Sequence, residues 1–368
     1  MASAHWRSFM NMKEISELRD NFVFFKWFTG EPKTGGEAVA VEIARILSKD
    51  FKVSIIEPPW IVEPPDTNAT IFDLLRFISR SFMALYLKTI IILDLLKRGN
   101  IVYCESPLGS FRYVQPPPLK NQKDRSIEDL FHKIFSTIEY FVRLGKNNLK
   151  IVIYNSEYTR SNFNNMVQSS AFECVLYPSI IHVDTPVLFK EKENFSVTIS
   201  RIVPEKNLDV LEKILYASPY KHYLIGYATS EVYLNKLRGR LERVNAEIIV
   251  NADEQEKLKF LRMAKVFINT PINQTADITL MEAMAHGCAP ITHNSGAGAE
   301  LVPPEFLYNS IDEARLLLKR VFENYDEQMF DKIVARSKLF NYELFQSQLL
   351  DHFKKAVNFL GYKNILRN

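Results

Sequence analysis

Short apolar runs alternate with stretches of helical periodicity along most of the chain, a rhythm that predicts parallel strands covered by helices. In the first half the runs fall at residues 22–28, 53–57, 101–104, 150–154 and 174–177, and in the second at 196–200, 223–226, 247–250, 266–269 and 289–292. Most lead through a loop into a helix-compatible stretch, so the expected fold class is α/β with two doubly wound, Rossmann-like sheets. Between them, residues 182–193 lack periodicity and combine Asp184-Thr185-Pro186 with the charged run Lys190-Glu191-Lys192-Glu193, which makes this the best linker. The most apolar stretch, residues 82–96, is interrupted by Lys88 and Asp94 and falls short of the ~20 residues that cross a bilayer. It reads as a buried helix, although the flanking Arg76, Arg80, Lys97 and Arg98 also suit a peripheral position on a membrane surface. Pro116-Pro117-Pro118 is a local stiffener.

Composition narrows the function classes. A chain of 368 residues, 47% hydrophobic and 24% charged, is long enough for two cores. Its formal net charge of +3 gives no electrostatic basis for nucleic acid as a partner. Cys104, Cys174 and Cys288 are odd in number and widely spaced, which builds neither a disulfide framework nor a zinc site; a reducing, cytoplasmic setting is the default. Residues 1–20 carry charges throughout and lack the apolar core of a signal peptide.

Candidate chemistry collects where strand carboxyl ends meet helix amino ends, the place where doubly wound sheets bind ligands. Thr34-Gly35-Gly36-Glu37 opens an expected helix at 38–47, where Gly35 and Gly36 would let a ligand approach the backbone; an ordinary tight connection has the same composition. Arg201 ends a strand, and Lys206 begins an expected helix at 207–217, where a cation gains nothing from the helix dipole. Two cations in such a crevice suit a diphosphate whose departing charge must be neutralised, whereas a surface Arg and a Lys paired with Glu205 would show the same spacing. A third expected helix, 277–286, has Asp277 as its N-cap, followed by Ile278 and Thr279. Glu282 on that helix suits a ribose diol, or is simply a solvated glutamate. Gly296 sits in another strand-to-helix loop, Asn294-Ser295-Gly296-Ala297-Gly298, whose amides could face phosphate.

Ser200-Arg201-Ile202-Val203-Pro204-Glu205-Lys206-Asn207 resembles the arginine–proline–glutamate–lysine–asparagine signature of retaining glycosyltransferases of family 4, which have the GT-B fold. Met281-Glu282-Ala283-Met284-Ala285-His286-Gly287-Cys288-Ala289-Pro290 is similar to that family's most recognisable helix. Gly35-Gly36-Glu37, Asn155-Ser156-Glu157-Tyr158-Thr159-Arg160 and Tyr177-Pro178 resemble further landmarks in order. Glu105-Ser106-Pro107-Leu108-Gly109, Tyr113-Val114-Gln115-Pro116 and Ile268-Asn269-Thr270-Pro271 are similar to segments of the Alg-type mannosyltransferases that extend lipid-linked oligosaccharides.

The resemblance implies two Rossmann-like domains facing each other across a cleft. Residues 1–188 would bind the acceptor and 189–342 the nucleotide sugar, with 343–368 crossing back to the first domain or closing the second as an ordinary terminal helix. It implies transfer of a hexose, with mannose suggested by the Alg-type likeness, from a GDP- or UDP-sugar to a glycan or lipid-linked acceptor with retention of configuration. No metal and no permanently bound cofactor are implied, and the chain contains no Asp-x-Asp. Arg201 and Lys206 would hold the diphosphate, Glu282 the ribose, and Gly35, Gly36, Asp277, Ile278, Thr279 and Gly296 would flank the phosphates and sugar. The sequence departs from the family at Gln274, where a glutamate is usual, at Asp277, where a glycine is usual, and at Gln115, where a histidine is common. Glutamine can bond a sugar hydroxyl but supplies no negative charge. Shifted donor choice or low turnover follows, and the alternatives are a catalytically impaired sugar-nucleotide-binding or scaffold protein and a sugar-nucleotide epimerase.

Overall fold

All strand pairing among the described residues is parallel. The computed structural model describes residues 22–25, 35–50, 53–56, 100–104, 149–163, 171–180 and 187–360. Each apolar run singled out in the sequence forms a strand, because a strand covered on both faces must be apolar on both faces. Gln115 and the apolar stretch 82–96 lie outside the described residues.

The first sheet contains β1 (Phe22–Phe25), β2 (Val53–Ile56), β3 (Asn100–Cys104), β4 (Leu149–Tyr154) and β5 (Phe172–Val175) in the order β2-β1-β3-β4-β5. In β4, Ile151, Val152, Ile153 and Tyr154 are all buried, as expected of an interior strand. Helix α1 (Gly35–Asp50) buries Val39, Ile43, Ile46 and Leu47, positions three and four apart that share one helical face. It starts at Gly35, so Gly35 and Gly36 belong to its first turn instead of preceding it. Helix α2 (Glu157–Phe163) follows β4.

The second sheet contains β6 (Glu193–Ile199), β7 (Lys221–Gly226), β8 (Ala246–Val250), β9 (Ala264–Asn269), β10 (Ala289–His293) and β11 (Leu307–Tyr308) in the order β11-β10-β9-β6-β7-β8. The chain builds outward from β6 to β8, then returns to the other side of β6 with β9 and builds outward again. This is the Rossmann order, and its direction reverses between β6 and β9. The helices are α3 (Leu211–Ile214), α4 (Glu231–Leu241), α5 (Glu254–Met263), α6 (Ile278–Ala285), α7 (Gly298–Leu301), α8 (Ile311–Asn324), α9 (Glu327–Ser337) and α10 (Tyr342–Phe359). Val197, Leu224, Ile225, Val266, Phe267, Ile268 and Ile291 from the central strands form the core with Leu280, Met281 and Met284 of α6.

The helix expected at 207–217 is present but begins in 3-10 form, and it ends before Ala217, whose φ is 59°. Pro204–Lys206 form a 3-10 turn, Asn207 adopts a left-handed conformation with φ 53°, and a second 3-10 turn precedes the four-residue α3. Asparagine tolerates that conformation better than most residues, and here it separates the Lys206 turn from the helical stretch that follows, whose Leu208, Leu211, Ile214 and Leu215 are buried. The expected linker is also shorter than its composition implies: Glu193 starts β6, and Phe189–Glu191 form a 3-10 turn. Glu191 accepts from Arg262 at 2.9 Å, while Lys192 donates to the carbonyls of Leu261 at 2.9 Å and Ala264 at 2.7 Å. Glu191 and Lys192 are therefore structural, whereas Lys190 and Glu193 are exposed. β11, only two residues long, carries too little pattern to stand out.

The chain divides into two compact units, one comprising residues up to Asn155, 159–176 and from Gln346 onward, the other 156–158 and 177–345. In the second, Glu300 accepts hydrogen bonds from the amides of Glu157 at 3.0 Å and Tyr158 at 2.5 Å and from the Tyr177 hydroxyl at 2.7 Å. Arg336 donates to the backbone carbonyl of the same residue at 2.5 Å. In the first, the ring of Phe359 near the end of α10 lies 6.0 Å from that of Phe172. Among the described residues no helix is long and apolar enough to cross a membrane.

Lys192 illustrates how the second unit accepts a buried charge. Burial lowers its pKa, and two carbonyls compensate by accepting from the ammonium, which also approaches Cys288 Sγ at 3.6 Å. Lys192→Met, which keeps the apolar stem, should lower the unfolding free energy by about 1–3 kcal/mol, measured by urea denaturation.

Candidate functional site

The reversal of strand order between β6 and β9 marks where a ligand crevice forms in a sheet of this topology, beyond the strands' carboxyl ends. Arg201 follows β6 at that point, and the turn bearing Lys206 comes next. Thr270, just past β9, ties the two sides together: its hydroxyl donates to the Lys206 carbonyl at 2.6 Å, and the Asn207 side chain donates to the Thr270 carbonyl at 3.1 Å. Lys206 thus sits at the end of a 3-10 turn pinned to the β9 loop, and not on the first turn of an α-helix. The side chains of Arg201 and Lys206 are partly buried, and neither has a carboxylate partner among the described residues; Glu205 is exposed and pairs with neither. Their positive charge is available to an anion.

The loop from β9 to α6 forms the next wall. Asp277 is the N-cap of α6, its Oδ1 accepting from the amides of Thr279 at 3.0 Å and Leu280 at 3.4 Å. The amino end at Ile278 and Thr279 is therefore capped by a carboxylate and not bare toward a phosphate. Asp277 Oδ2 accepts from Gln274 Nε2 at 3.0 Å. Gln274 in turn joins the loop after β10: its backbone carbonyl accepts from the Ala297 amide at 2.8 Å, and Ser295 Oγ accepts from the Asn273 amide at 2.9 Å. Gly296 has φ 62°, and a Cβ there would lie 2.4 Å from the Gln274 carbonyl oxygen, so only glycine lets the two loops close on each other.

Glu282 is one and a half turns into α6, mostly buried, with no hydrogen bond to its carboxylate from a described residue. Burial raises its pKa to about 7; Lys257 opposes the shift, and Glu254 and Asp277 add to it. Lys257 is ion-paired with Glu254 on α5. The Lys257–Glu254 pair had no mark in the sequence beyond an ordinary i,i+3 spacing, and Thr270 and Asn207 acquire their roles only through tertiary contact. Arg201, Lys206, Gln274, Asp277, Ile278, Thr279, Glu282 and Gly296 all belong to the second unit, at the carboxyl ends of β6, β9 and β10 or on α6. Gly35 and Gly36 belong to the first unit. Among the described residues no group of His, Cys, Asp or Glu converges to hold a metal ion.

The charge on Glu282 has a stability consequence. Its folded-state pKa lies above its unfolded value, so the unfolded chain loses this proton first as pH rises, and burial becomes progressively more destabilising between pH 4.5 and about 7. Glu282→Gln should therefore leave stability unchanged near pH 4 and raise it at pH 8, by on the order of 2–3 kcal/mol. Thermal unfolding of both proteins across that range measures the difference.

Residues 183–327 match the family profile described as glycosyl transferases group 1. No curated protein matches the sequence significantly. Solved structures similar to this chain include sucrose-phosphate synthase from Thermosynechococcus elongatus, at 13% identity and TM-score 0.64, covering 92% of this chain and 99% of that one. Anabaena HepE in complex with UDP has 14% identity and TM-score 0.61, covering 91% and 100%. The catalytic domain of starch synthase IV from Arabidopsis thaliana, bound to ADP and acarbose, has 12% identity and TM-score 0.58, covering 92% and 99%. Together with the two parallel sheets, these likenesses show the GT-B fold, and the profile match places a glycosyl transferases group 1 segment over most of the second unit.

Proposed function

We propose that this protein is a retaining glycosyltransferase that moves a hexose from a nucleoside-diphosphate sugar to a glycan or lipid-linked acceptor. The observation that carries the reading is the pair of partly buried cations, Arg201 and Lys206, at the strand-order reversal with no carboxylate among the described residues to neutralise them. Uncompensated charge held in a crevice is suited to a diphosphate, whose negative charge grows as the bond to the sugar breaks. The profile match over residues 183–327 supports glycosyl transfer, and neighbours solved with UDP and with ADP support a nucleotide-sugar co-substrate.

In this reading Arg201 and Lys206 bind the diphosphate and stabilise it as leaving group. Glu282 accepts from the ribose hydroxyls, which gives its buried carboxylate the hydrogen bonds that the described residues do not supply. Gln274 meets the transferred sugar and Gly296 brings loop backbone close to it; Ile278 and Thr279 wall the site without offering the Thr279 amide to a phosphate, because Asp277 holds it, and Gln115, Gly35 and Gly36 carry the roles that the resemblance implies for them. The second domain holds the donor, a GDP- or UDP-sugar, and the first holds the acceptor. Departure of the diphosphate and attack of the acceptor hydroxyl occur on the same face of the sugar, with no metal and no covalent enzyme intermediate. Mannose as the sugar is suggested by the Alg-type resemblance, a cytoplasmic site of action by the odd, widely spaced cysteines, and a position at the periphery of a membrane by the basic residues that flank 82–96.

Thermal unfolding against GDP-, UDP- and ADP-sugars tests donor binding, since a ligand of the folded state raises the transition by mass action. One donor class should stabilise the protein, and Lys206→Ala should weaken that binding roughly 10- to 100-fold. A wild type that binds a donor yet neither hydrolyses nor transfers its sugar to any glycan or lipid-linked acceptor would sink the enzyme reading. The anomeric proton signal of the first-formed product decides retention.

A further inference from the structure

Gln274 is fixed in an unusual way. Asp277 holds its side-chain nitrogen at 3.0 Å, and its side-chain oxygen is buried with no partner among the described residues. The opposite orientation of the amide would set that oxygen against Asp277 Oδ2, acceptor against acceptor, so the contact dictates which end of the amide is committed. The other carboxylate oxygen of Asp277 is occupied by the first amides of α6, which prevents the aspartate from turning away. The Gln274 backbone is equally constrained by the Ala297 amide and by the close approach of Gly296. Everything about this residue is anchored except one acceptor oxygen, and an enclosed acceptor left unpaired is destabilising unless a ligand completes it.

We infer that Asp277 is the positioning residue of Gln274, holding the amide so that only its carbonyl oxygen is left for the ligand. Resting on the donor reading proposed above, the inference limits the transferred sugar: the group meeting Gln274 must be a hydrogen-bond donor, a hydroxyl or an acetamido N–H, and not a carboxylate or a sulfate. It also accounts for two sequence departures with one contact. A glutamate at 274 would face the Asp277 carboxylate at hydrogen-bond distance, so glutamine at 274 and aspartate at 277 are suited to each other and not independent.

Asparagine at 277 isolates this role. Asp277→Asn retains a good helix cap but turns a nitrogen toward Gln274, which must then offer its oxygen to Asn and leave its own nitrogen for the ligand. The exposed function changes from acceptor to donor. Adding Gln274→Glu to Asp277→Asn restores it, because one glutamate oxygen accepts from the asparagine and the other remains free. The readout is the ratio of affinities for a nucleotide sugar and its monodeoxyfluoro analogues, measured by calorimetry with UDP-glucose, GDP-mannose, ADP-glucose and those analogues, because a hydroxyl can turn and accept from an exposed nitrogen whereas a C–F group cannot donate. One fluoro analogue should bind the wild type about tenfold more weakly than its parent sugar, the size of one hydrogen bond; Asp277→Asn should close that gap, and the double variant should reopen it. A gap absent from the wild type, unchanged in Asp277→Asn, or not reopened in the double variant overturns the inference while the donor reading stands. A wild type that binds none of these nucleotides overturns the donor reading instead, and unfolding then decides the positioning. Gln274→Glu alone should lower the transition by about 2–4 °C, and Asp277→Asn in the same chain should remove that loss; strictly additive effects overturn it.

Discussion

The parallel pairing of β6 with β9 is the contact on which the site depends. These strands are far apart in sequence, and placing them side by side reverses the direction in which the sheet is built. Two loops that would otherwise lie at opposite ends of a meander are thereby brought to one edge. Thr270 then joins them through two hydrogen bonds, setting the Lys206 turn against the loop that carries Gln274 and Asp277. The tie between the Lys206 turn and the loop after β9 is an outcome of that adjacency, and it sets Arg201 and Lys206, which have no carboxylate partner among the described residues, beside that loop.

Much of this architecture was legible in the sequence, for a physical reason. Strands such as β4 and β9 are covered on both faces, so residues like Ile151-Val152-Ile153 and Val266-Phe267-Ile268 must be continuously apolar and stand out against helical periodicity. Asp277 was legible as a helix cap because capping is local, a short polar side chain before an apolar helix. The left-handed Asn207 was not, since it precedes the helical stretch and leaves its apolar spacing intact. Glu191 and Lys192 read as part of a linker's charged run, and only the approach of Arg262 and of the Leu261 and Ala264 carbonyls makes them structural. The bond from Gln274 to Asp277 is three residues long in sequence, yet its meaning depends on the Gly296 loop that encloses it.

Glu282 and Gln274 show the same design in two forms. One is a carboxylate withdrawn from water, and the other is an amide whose oxygen is enclosed without a partner. Both lower the stability of the folded chain, and both lie on or beside α6, whose apolar face of Leu280, Met281 and Met284 is completely buried. A helix packed that firmly can carry unsatisfied polar groups without yielding, whereas an exposed loop would relax around them. The tolerance for unfavourable polar groups at this site therefore resides in the core beneath it.

The Glu300 contacts bear on how the protein can be dissected. Its carboxylate receives the amides of Glu157 and Tyr158 and the hydroxyl of Tyr177, residues that precede β6 by up to thirty-six positions in the sequence. The second unit is thus completed by a three-residue excursion of chain whose neighbours on both sides belong to the first. A fragment beginning at β6 would contain both Rossmann halves and still leave this carboxylate without its three donors. The second unit is continuous as a fold but discontinuous as a gene segment.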